Sequence, residues 1–171
     1  IASLRLQGDA DANFDTLNLA SLFIDTGGPT FNFSGQLSGI SDQTAISGTF
    51  EFTEMPFDDL KNYWPDTLMT NARSWILGNV FDGVLSNFTV DFDIKPGEID
   101  LVQSGARPNA IDVDFSFRDA TVNYFPEQPY AFGVDGEGHV DGASLSMNMR
   151  DGTIENMYAP SGVALITDLM L

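Results

Sequence analysis

The stretch IDVDFSFRD, residues 111–119, indicates the fold class because apolar and polar side chains alternate along most of it. Successive side chains of a β-strand point to opposite faces of a sheet, so a period of two predicts a strand with one apolar face. The acidic side chains would lie on the other face and meet water. The apolar set is Ile111, Val113, Phe115 and Phe117.

The same alternation recurs in TFNFSG (residues 30–35), GTFEFTE (48–54) and NFTVDFDI (87–94). Glycine, aspartate, asparagine and proline separate these segments at short intervals, which favours hairpins over parallel crossovers. The sequence therefore predicts a mainly β fold with a meandering antiparallel sheet. Further strands are expected at residues 4–7, 16–25, 120–124, 134–141, 145–150 and 163–171.

One segment, YWPDTLMTNARSWILGNVFDG (residues 63–83), lacks this alternation and predicts a helix. Thr70 is the expected N-cap, and the helix is expected over residues 71–80, ahead of the breaking pair Asp82 and Gly83. Its mostly apolar stripe should pack on the apolar face of the sheet. The residues expected to make that packing are Ala72, Trp75, Ile76 and Val80.

Composition limits the function classes. A chain of 171 residues can bury a substantial core, so we expect one module over residues 1–171. The formal net charge of −18 would repel nucleic acid, which is not an expected partner. With no cysteine, the chain has no disulfide and no thiolate chemistry. Because it begins at Ile1 rather than methionine, we expect it to be a fragment of a longer protein.

No constellation of catalytic residues is visible, and we expect neither an enzyme nor a cofactor. The single histidine, His139, falls on the polar face of its strand among carboxylates, where a solvated role is expected. The segment GDADANFD (residues 8–15) resembles the start of a calcium loop but lacks its central glycine and closing glutamate. We therefore expect no metal site.

Two stretches carry a resemblance to a family. YWPDTLMTNARSWILGNVFDGVLSNFTVDFDIKPGEI (residues 63–99) and FSFRDATVNYFPEQPYAFGVDGEGHVDGASLSMNMRDGTI (115–154) are similar to AsmA-like bacterial envelope proteins of the YhdP type, related to the TamB and AsmA β-groove lipid transporters. The similarity covers residues 57–154. The matching positions are Trp64, Pro65, Arg73, Trp75, Gly83, Arg118, Tyr124, Pro129, Asp135, Gly136, Gly142 and Gly152.

The resemblance implies a twisted, curled antiparallel sheet that forms an open groove or half-barrel. It also implies a Gram-negative periplasmic module whose parent protein is anchored in the inner membrane. Such proteins are associated with phospholipid movement between the inner and outer membranes, which other parts of the parent protein would reach. Phospholipid acyl chains would then run along the apolar groove. The expected lipid-binding residues are Phe88, Val90, Phe92, Phe115, Phe117, Val140, Leu145 and Met147.

Two other functions stay open at this point. A closed β-domain could serve as a scaffold of the cell envelope and bind no small molecule. A carbohydrate-acting enzyme with paired carboxylates is disfavoured, because no acid is visibly held in an apolar pocket.

Overall fold

The fold is one antiparallel ten-stranded sheet, seen in a computed structural model that describes residues 1–40, 42–67, 70–103, 108–125, 127–141 and 144–167. The strand order is β1-β2-β3-β4-β6-β7-β8-β9-β10, and the short β5 pairs with β7 beside this path. Consecutive strands are neighbours almost throughout, as hairpin connections require. The strands β1 and β10 form the two edges, so the sheet is open, and the predicted fold class is confirmed.

The strands are β1 (Ser3–Ala10), β2 (Thr16–Asp25), β3 (Thr30–Ser38), β4 (Ala45–Pro56), β5 (Val80–Phe81), β6 (Val84–Ile94), β7 (Ile111–Val122), β8 (Ala131–Asp141), β9 (Ser144–Ile154) and β10 (Met157–Ile166). The helices are α1 (Thr70–Asn79) and α2 (Ile99–Gln103), with 3₁₀ segments at Phe57–Asn62 and Pro108–Ala110.

The register gives the sheet one apolar and one polar face. Phe52 lies opposite Phe88, and Val90 lies opposite Val113 in the next strand. On the other face Asp91 lies opposite Asp112. Side chains of the same kind therefore meet across the strands, and the period of two in each strand becomes two continuous surfaces.

Helical segments cover the middle of the apolar face. The 3₁₀ helix Phe57–Asn62, residues 63–67 and α1 follow β4 directly, and we call them the helical cover. The guanidinium of Arg73 joins its parts, because Nε donates to the Trp64 carbonyl oxygen at 3.0 Å and Nη2 donates to that of Lys61 at 3.4 Å. Arg73 thus links α1 to the 3₁₀ helix and to the segment that follows it.

The predicted helix is confirmed with corrected ends. It begins at Thr70, and it ends at Asn79, whose side-chain amide donates to the Trp75 carbonyl oxygen at 2.8 Å. Val80 is therefore wrong as a helical residue: it belongs to β5 and pairs with Val122. The cause is a long-range contact, because the Asn123 amide donates to the Asn79 carbonyl oxygen at 2.8 Å and draws the chain into the sheet.

Burial of the helix is also narrower than expected. Ala72 and Ile76 are buried and Val80 is buried from β5, but Trp75 is only partly buried. Trp75 still packs against the core, so its contact is partial rather than absent.

Most of the predicted strands are longer in the structure, and two of them need a larger correction. Residues 120–124 do not form a separate strand, because β7 continues to Val122 through an irregularity near Asp119, where φ is 54°. The Asp119 amide donates to Asp135 Oδ1 at 2.8 Å, which stabilises the irregularity. The last strand begins at Met157 rather than at residue 163. Residues 168–171 of the predicted strand, and Gly142, lie outside the described residues.

Candidate functional site

A groove lies between the helical cover and the centre of the apolar face. Its cavity volume is about 300 Å³, and every described residue that lines it is apolar or aromatic. The sheet contributes side chains from β3, β4, β6, β7 and β8, and the cover contributes Leu60, Tyr63, Trp64, Pro65 and Ile76 among others. An apolar concavity of this size is at the lower end of what ligand sites in proteins occupy.

A ladder of phenylalanine rings forms the floor of the groove. Phe52 and Phe88 stack with ring centroids 4.3 Å apart, and the rings of Phe88 and Phe115 lie 6.5 Å apart. On the other side Phe31 approaches Phe52 at 6.1 Å and meets Tyr63 of the cover at 5.2 Å. Each such pair contributes about 0.5–1.5 kcal/mol beyond area burial, so the ring contacts stabilise the floor.

Five of the eight predicted lipid-binding residues line this groove: Phe88, Val90, Phe92, Phe115 and Val140. The other three, Phe117, Leu145 and Met147, do not. Phe117 and Met147 border a void of only about 10 Å³, and Leu145 is 0% exposed. All three side chains are sealed core, and Ile76 and Val80 border the same small void as Phe117 and Met147.

Two glycines of β8 allow phenylalanine rings of β7 to pack directly against the β8 backbone beside the groove. A Cβ on Gly138 would lie 2.1 Å from Phe115 Cζ, and one on Gly136 would lie 2.5 Å from Phe117 Cζ. The space that these glycines leave on the apolar face is filled by phenylalanine rings from β7. Close approach to the backbone is a common role of glycine in strands.

Sequence reasoning missed residues on both sides of the groove. Phe31, Phe50 and Phe52 were assigned to strands but not to the site, because their place beside Phe88 and Val90 depends on the pairing of β4 with β6. The sequence did contain a sign of their role, since these phenylalanines alternate with polar residues just as Phe88 and Val90 do. The cover residues Tyr63 and Trp64 carried no periodic signal.

Past the groove the apolar face continues toward the edge at β1 without a cover. Phe31 lies opposite Ile24, and Ile24 lies opposite Leu4. Exposure rises along this row from 9% at Phe31 to 57% at Leu4, and Leu6 is 62% exposed. The groove therefore opens onto an exposed apolar surface, which is unusual for a face that is buried elsewhere in the molecule.

A second depression, of about 320 Å³, lies over β8, β9 and β10. Its lining mixes apolar residues with Arg150 and Ser161, unlike the lining of the groove. The groove is therefore the better match to a hydrocarbon ligand.

The polar face carries the charge. His139 lies there as predicted, and its Nδ1 donates to Asp114 Oδ1 at 2.9 Å, a hydrogen bond that raises the pKa of His139. Burial raises the pKa of the Asp112 carboxyl, and the nearby carboxylates of Asp114, Asp141 and Asp91 add to this effect while His139 opposes it. On the same face Arg118 and Glu54 form a bidentate ion pair, in which Nη1 donates to Oε1 at 2.9 Å and Nη2 donates to Oε2 at 3.2 Å.

Comparison with protein-family profiles, curated proteins and solved structures finds no match to this chain. Within the described residues, none of the helices has the length and hydrophobicity that a membrane crossing requires.

Proposed function

We propose that this protein holds the acyl chains of phospholipids in its groove and guides them along the apolar face, as a periplasmic module of an AsmA-like envelope protein. The observation that carries the proposal is the groove itself: it is lined by apolar and aromatic side chains and continues onto the exposed apolar surface at β1. The periplasmic location, the inner-membrane anchor and the transfer between two membranes rest on the sequence resemblance alone.

The size of the groove limits what can enter it. An apolar cavity of about 150 Å³ holds a molecule the size of benzene, so about 300 Å³ accommodates only part of an acyl chain. The remainder would extend over Ile24 and Leu4 toward β1. Because the described residues of the lining include no charged side chain to bind a head group, the polar end of the lipid would stay in water.

The decisive experiment is mass spectrometry of lipids that copurify with the chain, compared between the wild type and Phe92→Asp. Phe92 lines the groove and is partly exposed, so a carboxylate at this position reaches water while disrupting the hydrocarbon path. We expect phospholipid with the wild type and much less with the variant. Gln36→Glu adds one negative charge on the exposed polar face and should retain lipid.

If Phe92→Asp fails to fold, Phe50→Asp replaces it, since Phe50 also lines the groove and is partly buried. Absence of lipid from the wild type, or equal lipid in a folded groove variant, would contradict the proposal.

A scaffold of the cell envelope is the second candidate. It is favoured by the three predicted lining residues that prove to be sealed, Phe117, Leu145 and Met147. If no acyl chain binds in the groove, the scaffold is the remaining candidate function. The groove would then be an unfilled space between the helical cover and the sheet.

A further inference from the structure

The polar face holds a row of aspartates that the groove does not use. Asp91 of β6 lies directly opposite Asp112 of β7, and Asp112 lies directly opposite Asp141 of β8. Two residues further along β7, on the same face, Asp114 lies opposite His139. Three neighbouring strands thus bring four carboxylates and the only imidazole of the chain together.

This row of aspartates is electrostatically unfavourable in a β-sheet. Like charges directly opposite each other across strands are destabilising, and here two such pairs share Asp112. Within the described part of the chain, His139 is the basic group that pairs with Asp112 and Asp114, and no lysine or arginine does so. In natural proteins, residues that are unfavourable for the local structure are expected chiefly at functional sites.

The spacing of the atoms suits a metal ion. His139 Nδ1 lies 2.9 Å from Asp114 Oδ1 and 3.7 Å from Asp112 Oδ1, and the ligand atoms of the three residues all lie within 4.8 Å of one another. Two ligand atoms bound at about 2.1 Å to one tetrahedral zinc ion are about 3.4 Å apart. Small side-chain rotations would bring the three atoms to that separation.

We propose that Asp112, Asp114 and His139 form a binding site for a divalent transition-metal ion, with zinc the best match. An imidazole nitrogen with two carboxylate oxygens suits zinc better than calcium or magnesium, which take oxygen ligands. Three protein ligands leave a fourth position for water. The ion would neutralise the repulsion between the aspartates and join β7 to β8 on the face opposite the groove. This departs from the absence of a metal site that the sequence suggested.

The test uses untagged protein, stripped of metal with a chelator, because a histidine tag would itself bind zinc. Titration calorimetry with zinc should show one saturable site per chain. Because His139 is the only histidine, its imidazole resonances report the site without ambiguity, and zinc should shift them. Loss even of an outer-shell partner of a metal site weakens binding about 10- to 100-fold, so His139→Ala and Asp114→Asn should weaken it at least about tenfold.

The matched control is Glu51→Gln, which removes one negative charge from an exposed position on the same face, two strands away on β4. It should leave zinc affinity unchanged. The proposal is overturned if the wild type shows no saturable zinc binding or if His139→Ala binds zinc as tightly. Calcium or magnesium binding with the same affinity as zinc, independent of His139, would also overturn it, since that result indicates only general attraction to an acidic surface.

Discussion

The same apolar face is closed over β7 to β9 and open over β1 and β2. Leu145 on β9 is 0% exposed, whereas Leu6 on β1 is 62% exposed. Both are leucines in strands that alternate in the same way, but the surroundings differ: in the first region Ile76 of α1 and Val80 of β5 lie against Phe117 and Met147, whereas Leu4 and Leu6 in the second stay exposed. The difference teaches that alternation produces an apolar face, while the residues packed over that face decide whether it is core or exposed surface.

The largest contrast should come from placing a carboxylate at each kind of position. Phe117→Asp puts an unpaired charge into a site that is 4% exposed, which costs several kcal/mol, and we expect the protein not to fold. Phe92→Asp should remain folded, because its position at the groove reaches water. Circular dichroism and thermal melting of the two variants check this. Equal loss of structure in both would show that the groove region is core as well.

A milder comparison uses identical chemistry in the two regions. Leu145→Ala should lower the free energy of unfolding by about 2–5 kcal/mol, because the side chain is fully buried and its removal leaves a cavity. Leu6→Ala should change it by no more than about 0.5 kcal/mol, since the leucine is largely in water. Urea denaturation measures both values. A large effect at Leu6 would mean that β1 is covered in solution.

The boundary between groove and sealed core depends on ring packing against β8. Gly138→Ala places a methyl group where the Phe115 ring lies, and the ring must move. Overpacking of this kind costs about 1–3 kcal/mol. Gly78→Ala in α1 is the control, because a Cβ there meets nothing within 4 Å and alanine favours helix. Thermal unfolding should separate the two, and equal stability would contradict the close packing.

Much of this contrast could not be predicted from the sequence. The alternation in residues 87–94 and 111–117 is local, so it predicted both the strands and their apolar face correctly. The place of Phe31 and Phe50 in the groove required the order of strands, which is a long-range property. The end of the helix at Asn79 depends on a hydrogen bond from Asn123, and no local signal indicates that contact. Which phenylalanines are sealed depends on where α1 and β5 pack.

The smallest expected effect concerns the polar face, which both regions share. The hydrogen bonds and charge of Arg118 lower the pKa of Glu54, so this pair contributes stability above the normal glutamate pKa of about 4.3 and loses it as pH falls through the lowered value. Because both side chains are exposed, Glu54→Gln should lower the melting temperature only slightly near neutral pH. The difference from the wild type should vanish in acid and in high salt. Persistence of the difference in acid would contradict this assignment.

The central claim is that acyl chains enter the groove, and the two tryptophans test it most directly. Trp64 lines the groove, and Trp75 does not. In Trp75→Phe the remaining indole is Trp64, and in Trp64→Phe it is Trp75. Fluorescence is measured while a lysophospholipid with a brominated acyl chain is added, because bromine quenches indole only at close range. We predict strong, saturable quenching of Trp64 and little quenching of Trp75. Equal quenching of both, or of neither, would contradict entry of acyl chains into the groove.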